Sequence, residues 1–358
     1  IIDHTDKKTM TQCLNTGYVS TYGNISNKFC KKLKDITGSK YIIPIINGTT
    51  SIHLALYDSG VSNNDEVLMP SLNFIASANA TLYLGASPHF VEVEKETFGI
   101  DPLKLDKYLK KILIKKGKFF YNKRTKKRIK TLIAVHIFGH PCKIDMIKKV
   151  CDKYNILLIA DEVVTGFGRT GTLFGSRHWG VKPDIMCLAK GINSGYVPLG
   201  ATMVNDRVEA AWSKDSPLAA IMHGYTYSGH PLACAAALAN LSIVMDEDLP
   251  SNAADTGTYF LEKLSTLTEF SSVGDVRGLG LMLAVELVRS KHSKEPCMPS
   301  DDLCVGLHTL CREQGVWVRI QGNKMILSPP LVFNRGHVDE AISAIRGAFK
   351  KLDVKRNP

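Results

Sequence analysis

The 358 residues carry a net charge of +11, and 44% of them are hydrophobic and 22% charged, which is the composition of a globular protein long enough for two domains. No apolar run approaches the roughly 18 to 20 residues that cross a bilayer, and the N-terminus lacks the pattern of a secretory signal. Nine cysteines without a C-x-x-C pair favour free thiols over a disulfide framework. These features predict a cytoplasmic protein that does not bind membranes.

Short apolar stretches alternate with helical patterns from Tyr41 to Leu188. The pattern predicts strands that begin at Tyr41 and span 66–69, 88–93, 131–138, 156–160 and 184–188, with helices over 51–60, 74–84 and 144–154. Such alternation is typical of βαβ units and predicts an α/β fold with a mostly parallel sheet covered on both faces. We expect functional side chains where the strands end, because ligands of such sheets bind at the carboxyl edge.

The C-terminal part of the chain has a different pattern. An apolar stretch from Pro231 to Met245, broken by Asn240 and Ser242, predicts a buried helix. Beyond it, helices are predicted over 253–267, 303–313 and 338–352, and strands over 281–288 and 316–319. We therefore predict a large domain over residues 1–245 and a small α+β domain over residues 246–358.

The positive charge is concentrated in the first half of the sequence. Residues 1–160 contain 25 Lys and Arg residues against 13 acidic residues, and eleven basic residues without an acidic one fall between Lys110 and Lys130. Such a run is able to bind phosphate or nucleic acid, but it is more often a solvated surface. The sequence NKRTKK indicates the tip of a surface hairpin, so we do not expect nucleic-acid binding.

Lys190 is the first candidate for chemistry, in the sequence PDIMCLAKGINSGYVPLGA. It directly follows an apolar strand and precedes a glycine, which predicts a position at a sheet edge. Partial desolvation there would disfavour the ammonium form, and the neutral amine is the form that attacks an aldehyde. An ordinary exposed lysine is the alternative, but the surrounding glycines and Pro198 indicate close approach of the backbone to another group.

Asp161 ends the apolar run LLIAD and is the second candidate. Pyridoxal phosphate acts as an electron sink while its ring nitrogen stays protonated, and a carboxylate against that nitrogen keeps the proton there. Val163, two residues later, is expected to press on the face of the ring. An aspartate after a strand also caps turns, so Asp161 indicates a cofactor site only in combination with Lys190.

The sequence Asn47-Gly48-Thr49-Thr50 separates a predicted strand from a helix. Free N–H groups at a helix start, a glycine that permits close approach and two hydroxyls form a phosphate cup. A lone turn of this kind is more often only a helix N-cap. Phe74, in SLNFIASANA, is expected to stack on the other face of the ring or, alternatively, to lie in the core.

His136 lies at the end of a predicted strand and is expected to contact substrate at the same edge. Together with His140, Cys142 and Cys151 it also raises the alternative of a metal site. The tight spacing of metal ligands is missing, so buried thiols and strand-end histidines are the favoured interpretation, and we expect no metal.

Two families share motifs with this chain. Residues 15–158 resemble the DegT/StrS nucleotide-sugar aminotransferases in NTGYVSTYG, NGTTSIHLAL, DEVLMPSLNFIASANATLYLGASPHFVEVEKETFGIDP and AVHIFGHPCKIDMI. Residues 156–352 resemble the class III (omega) aminotransferases in LLIADEVVTGFGRTG, KPDIMCLAKGINSGYVPLGA, HGYTYSGHPLACAAALA, DVRGLGLMLAVEL and ILSPPLV. The two stretches meet near Asp161, where charge and composition also change, as a fusion of two differently derived fragments would produce.

The fold of both families is the fold type I pyridoxal-phosphate architecture. The resemblance therefore implies a homodimer with active sites at the subunit boundary. It also implies that the phosphate is held by Gly48, Thr49 and Thr50, and by Thr226 across that boundary.

The resemblance assigns roles around the cofactor ring as well. It implies that Lys190 carries the Schiff base, that Asp161 pairs with the ring nitrogen, and that Val163 and Phe74 cover the two faces of the ring. Arg319 matches the arginine that takes a substrate carboxylate in the class III amine branch, a task suited to a guanidinium.

The implied reaction is transfer of an amino group between a small amine, amino acid or amino sugar and a keto acid such as pyruvate or 2-oxoglutarate. The class III phosphate loop and its ring-stacking tyrosine segment are absent, and so are the lysine segment and C-terminal domain of the sugar family. Two alternatives therefore stay open. One is a protein that binds pyridoxal phosphate without turnover, and the other is an aminomutase or decarboxylase.

Overall fold

The computed structural model of the protein describes residues 4–21, 23–213 and 223–356. These residues form two compact units. The first comprises residues up to Phe167 and Phe174–Glu247, and the second comprises Gly168–Leu173 and the residues from Asp248 onward. The boundary after Glu247 lies close to the one proposed from sequence, whereas the assignment of Gly168–Leu173 to the second unit was not anticipated.

The first unit is an α/β unit. Its helices are α1 (His4–Asn15), α2 (Asn24–Thr37), α3 (Gly48–Asp58), α4 (Ile75–Tyr83), α5 (Pro102–Ile112), α6 (Ile144–Lys153), α7 (Asp206–Ser213) and α8 (Pro231–Asp246). Its strands are β1 (Tyr41–Ile45), β2 (Asp65–Pro70), β3 (Ser87–Val91), β4 (Leu113–Lys116), β5 (Phe119–Asn122), β6 (Arg128–Val135), β7 (Leu157–Asp161), β8 (Ile185–Leu188) and β9 (Gly200–Val204). The sequence did not predict α1, α2, α5, α7 or β9.

The strands of this unit form one sheet in the order β1-β9-β8-β7-β6-β2-β3. Neighbours from β8 to β3 are parallel, and β9 is antiparallel to both β8 and β1. Strand β1 therefore runs in the same direction as β8, and its carboxyl end lies at the same edge. The predicted α/β class and mostly parallel sheet are confirmed.

Apolar cores lie on both faces of this sheet, because successive strand residues point to opposite sides. Ile133 and Ile159 belong to a cluster that includes residues of α3 and α4. Leu132 and Leu158 belong to a second cluster that includes residues of α5 and α6. These strands are buried on both faces, which is why they appear in the sequence as continuous apolar runs.

The predicted hairpin tip, NKRTKK, is the turn between β5 and β6. Strands β4 and β5 pair, and β5 joins the sheet where Tyr121 lies opposite Arg128, at the start of β6. Arg128 is neutralised by the buried Asp65, with Nε 2.6 Å from Oδ1. The hairpin thus extends from the amino end of β6, the opposite end from the predicted functional edge.

The second unit is α+β. Its elements are α9 (Leu249–Ser265), β10 (Val273–Leu279), β11 (Met282–Ser290), β12 (Glu295–Pro296), α10 (Asp302–Glu313), β13 (Arg319–Gln321), β14 (Lys324–Leu327) and α11 (Arg335–Arg356). The sheet has the antiparallel order β10-β11-β14-β13, and β12 pairs with β11. The strand predicted at 316–319 begins only at Arg319. Of the helices in the described ranges, none has the combination of length and apolarity needed to span a membrane.

Candidate active site

The carboxyl ends of three neighbouring parallel strands bring the main candidates together. Val135 of β6 lies opposite Asp161 of β7, and Asp161 lies opposite Cys187 of β8. His136 directly follows the first of these residues, and Lys190 lies just beyond the last, separated from it by Leu188 and Ala189. The edge predicted from sequence is therefore the edge on which these side chains lie.

Lys190 begins a short 3-10 turn immediately beyond β8. Its φ of 45° is in the left-handed region, which is unfavourable for a residue with a Cβ and is typical of functional sites. The residue is exposed, in contrast to the partial desolvation expected from sequence.

Asp161 is half-buried, and its Oδ1 accepts a hydrogen bond from the Val163 N–H at 3.0 Å. Burial raises the pKa of the Asp161 carboxyl, while the Val163 amide, His136 and Lys190 act in the opposite direction. A cationic group facing this carboxyl would stabilise its ionised form. A protonated pyridine nitrogen meets that requirement.

Helix α3 starts with a complete capping box. Asn47 Oδ1 accepts from the Thr50 N–H at 2.9 Å, and the Asn47 N–H donates to Thr50 Oγ1 at 3.2 Å. The Thr50 hydroxyl also donates to the Asn47 carbonyl at 2.9 Å. Thr50 is thus engaged by the cap, contrary to its expected role in the phosphate cup. Gly48 and Thr49 lie in the first turn, where N–H groups have no partner within the helix.

Close packing joins the start of α3 to the other strand ends. A Cβ built on Gly48 would lie 2.8 Å from Val163 Cγ2 and 3.5 Å from the Cβ of Ala189, the residue before Lys190. A Cβ on Gly200 would lie 2.9 Å from the carbonyl oxygens of both Asn47 and Leu188. Glycine is therefore required at both positions for these segments to meet.

His136 is buried, and its ring contacts protein on both sides. The Cys142 N–H donates to Nδ1 at 3.1 Å, and Nε2 lies 3.5 Å from Glu162 Oε1. With only 3% of its surface exposed, His136 does not fit the predicted role in substrate binding. His136 instead packs inside the protein, between Cys142 and Glu162, at the strand end next to Asp161.

Glu162 was not singled out from sequence, although it directly follows Asp161. Its fully buried carboxylate accepts from the N–H groups of Gly175 at 2.8 Å and Ser176 at 2.7 Å, and from the Thr165 hydroxyl. Burial raises the pKa of Glu162, but His136 and these hydrogen-bond donors hold it at about 2. An acidic residue at the end of an apolar strand is the sequence signal that could have revealed it.

Two family models match the chain. The model described as aminotransferase class-III matches residues 136–349, which is more than half of the chain. The chain belongs to the class-III aminotransferase family. The model described as the DegT/DnrJ/EryC1/StrS aminotransferase family matches residues 1–170. Both resemblances noted from the sequence are confirmed, and the two models overlap across β7.

Curated relatives carry the same family signal. The chain is 42% identical over 212 residues to diaminobutyrate–2-oxoglutarate transaminase of Halomonas elongata, a match covering 58% of this chain and 45% of the relative. It is 40% identical over 205 residues to putrescine–pyruvate aminotransferase of Pseudomonas aeruginosa, covering 56% and 43%. The chain thus spans less than half the length of these relatives.

Solved structures match over almost the whole chain. An amine transaminase from an uncultivated Pseudomonas species, in the PLP-bound form, has a TM-score of 0.82 at 32% identity, with 98% of this chain and 87% of that chain covered. The class-III fold seen here is fold type I, whose cofactor is pyridoxal phosphate. The residues fit this cofactor, because the Asp161 carboxyl, the first turn of α3 and the Lys190 amine meet at one edge.

The remaining candidates, Phe74, Thr226 and Arg319, are all exposed to solvent. Phe74 caps α4 and is 67% exposed, so the alternative of a core phenylalanine is wrong. Thr226 is exposed in a turn in which the Ser228 N–H donates to the Tyr225 carbonyl at 2.9 Å. Arg319 belongs to the second unit, where it is exposed and its Nη2 donates to Gln321 Oε1 at 3.1 Å.

Proposed function

We propose that this protein is a pyridoxal-phosphate-dependent aminotransferase that acts on a small amine or amino acid and a keto acid. The observation that carries the proposal is the convergence of Lys190, Asp161 and the first turn of α3 at one carboxyl edge. The names of the relatives, which are transaminases of diamines and amino acids, support the same reaction.

Bound pyridoxal phosphate supplies an electron sink for the charge that develops when the substrate loses its Cα proton. In our proposal the Asp161 carboxylate keeps the ring nitrogen protonated. The Gly48 and Thr49 amides and the Thr49 hydroxyl bind the phosphate at the positive end of α3. Val163 and Phe74 orient the ring from its two faces. Lys190 Nζ attaches the cofactor and moves the proton to and from the substrate Cα.

Arg319 is our candidate for the substrate carboxylate. Its guanidinium is exposed, and its planar pair of N–H donors suits bidentate binding of a carboxylate. A keto acid such as pyruvate or 2-oxoglutarate is the proposed acceptor. The amino donor is proposed as a diamine, an amino acid or an amino sugar.

We further propose that the protein acts as a homodimer in which Thr226 reaches the partner's phosphate. Support comes from an exposed aromatic cluster whose rings contact His53 and His223: Tyr57, Tyr83 and Tyr225 are 44%, 66% and 40% exposed, with the closest ring centroids 5.1 Å apart. Exposed aromatic surface of this kind is typical of protein interfaces. Light scattering of the purified protein tests whether its mass in solution is that of a dimer or of a single chain.

Replacement of Lys190 tests the reaction. Lys190→Ala is expected to lose the visible absorption band of the covalently attached cofactor and all amino transfer. Lys182→Ala, at an exposed lysine before β8, is the control and is expected to retain both. Donors, including amines, glutamate, alanine and nucleotide amino sugars, are screened for conversion of the cofactor to its amine form. An unchanged spectrum in Lys190→Ala would contradict the proposal, whereas a band without conversion by any donor would favour the inert alternative.

A further inference from the structure

Helix α8 contains one buried polar residue that the proposed chemistry does not use. Of its sixteen residues, ten are buried, and most of these are alanine or another apolar residue. Asn240 is among them and is only 7% exposed. A buried amide is costly unless its donors and acceptor are paired, so the partners of Asn240 show what it holds in place.

Among the described residues, the Asn240 side chain hydrogen-bonds to a single segment, the turn that follows Lys190. Its Nδ2 donates to the carbonyls of Gly191 at 2.9 Å and Ile192 at 3.3 Å. Its Oδ1 accepts from the Ser194 hydroxyl at 2.5 Å. A single side chain thus bonds to three of the four residues after Lys190.

The backbone of this segment needs such support. Lys190 has a φ of 45° and Ser194 a φ of 53°, both in the left-handed region, where a residue with a Cβ is disfavoured. Strained conformations of this kind persist when the surrounding contacts determine them. Gly191 is confined as well, because a Cβ there would lie 3.2 Å from the Gly166 carbonyl oxygen and 3.3 Å from Phe167 Cβ.

We propose that Asn240 is a positioning residue, which holds the turn after Lys190 in its left-handed conformation and thereby presents the lysine amine at the carboxyl edge of the sheet. The inference rests on the proposed role of Lys190 as the attachment point of the cofactor. In this proposal Asn240 does not act on the reacting atoms directly. It acts through the Gly191 and Ile192 carbonyls, and Ser194 fixes the orientation of its amide.

The rate of cofactor attachment tests this inference. Apo-protein is mixed with pyridoxal phosphate, and the growth of the visible band is followed for the wild type, Asn240→Ala and Ser194→Ala. We expect attachment to slow about tenfold in Asn240→Ala and about threefold in Ser194→Ala, in proportion to the hydrogen bonds removed. The pH at which the band titrates is expected to shift in both variants.

Asn252→Ala is the matched control. The Asn252 amide also donates to two backbone carbonyls, those of Leu331 at 2.6 Å and Phe333 at 3.0 Å, but within the second unit. This variant is expected to lower the unfolding temperature without changing the attachment rate or the titration of the band.

The outcomes separate this inference from the assignment of Lys190. A wild type that never develops the band contradicts the proposed function. A normal wild type, with attachment rates and band titration unchanged in both variants, overturns the positioning role even if their unfolding temperatures fall. Should Asn240→Ala not fold, Ser194→Ala decides the question, because it removes only a hydroxyl from a partly exposed turn.

Discussion

Residues 1–158 and residues 159–358 contribute different parts of the candidate site. The first segment provides the start of α3, with Gly48 and Thr49, and the exposed Phe74. The second provides Asp161, which ends β7, and Lys190, which follows β8. Because β1 lies beside β9 and β6 beside β7, both segments belong to one sheet. The candidate cofactor site therefore depends on how well the two segments match where they meet.

At the carboxyl edge the two segments meet through both paired and unpaired polar groups. His136 and Cys142 come from the first segment, and Glu162 comes from the second with its own hydrogen-bond donors. The Ser51 hydroxyl similarly donates to the Ala201 carbonyl at 2.9 Å across the same boundary. The Ser51 bond therefore joins the two segments, and Glu162 is paired within the second, whereas His136 Nε2 has no hydrogen-bond partner among the residues described.

The match is poor where α3 packs on the sheet. Asp58 in the last turn of α3 is 8% exposed, and neither carboxylate oxygen has a hydrogen-bond partner among the residues described. Burial raises the pKa of this carboxyl to about 7. Burying this carboxyl without a hydrogen-bond partner lowers the free energy of unfolding at this boundary, whereas the buried Glu162 carboxylate is hydrogen-bonded.

The largest expected effect is at Glu162. Glu162→Gln keeps the shape but turns one acceptor into a donor that faces N–H groups, and removing one member of a buried polar pair costs about 3 to 5 kcal/mol of unfolding free energy. The pKa of Glu162 is about 2 in the folded protein against an ordinary 4.5. Its contribution is therefore present above pH 4.5 and is lost as the pH falls toward 2. Denaturant unfolding of the wild type and variant between pH 3 and 7 measures both effects.

Glu94→Gln is the control for this prediction. Glu94 also accepts two backbone N–H bonds, from Glu96 at 2.9 Å and Thr97 at 2.7 Å, but entirely within the first segment and only partly buried. We expect it to cost about 1 kcal/mol. Equal losses of unfolding free energy in the two variants would show that Glu162, at the boundary between the segments, contributes no more to stability than Glu94 does within one segment.

A gain in stability is expected at Asp58. Because its pKa is raised from 3.8 to about 7, the wild type loses stability as the pH rises from about 4 through 7. Asp58→Asn removes this ionisation and is expected to raise the unfolding free energy at pH 8 by about 2 to 4 kcal/mol, with little gain at pH 4. Asp35→Asn, at an exposed position on α2, should leave the pH profile unchanged. If the unfolding free energies of Asp58→Asn and the wild type changed with pH in the same way, the prediction that buried Asp58 ionises at a raised pKa would be wrong.

The sequence predicted the sheet and the edge on which the candidate residues lie, because β6, β7 and β8 are apolar runs closely followed by polar residues. It could not predict β9, because its position between β1 and β8 follows from long-range pairing rather than from local pattern. His136 was expected to face substrate, but strand periodicity does not reveal that the adjacent Glu162 would be its buried partner. Asn240 was visible as a polar break in an apolar helix, yet its partners lie almost fifty residues earlier in the chain.

The smallest expected effects separate two neighbouring threonines in the first segment. Thr50 completes the capping box, so Thr50→Ala is expected to cost about 1 kcal/mol of stability with little change in cofactor affinity. Thr49 takes no part in the capping box, and we propose that it binds the phosphate. Thr49→Ala is therefore expected to weaken pyridoxal phosphate binding about tenfold, the effect of losing one charge-assisted hydrogen bond, without lowering stability. Thermal unfolding of the apo-proteins and fluorescence titration with the cofactor measure the two quantities independently. If Thr50→Ala instead weakened pyridoxal phosphate binding, the phosphate would be bound by the capping-box threonine. The first segment would then contribute Thr50 rather than Thr49 to the site, contrary to our proposal.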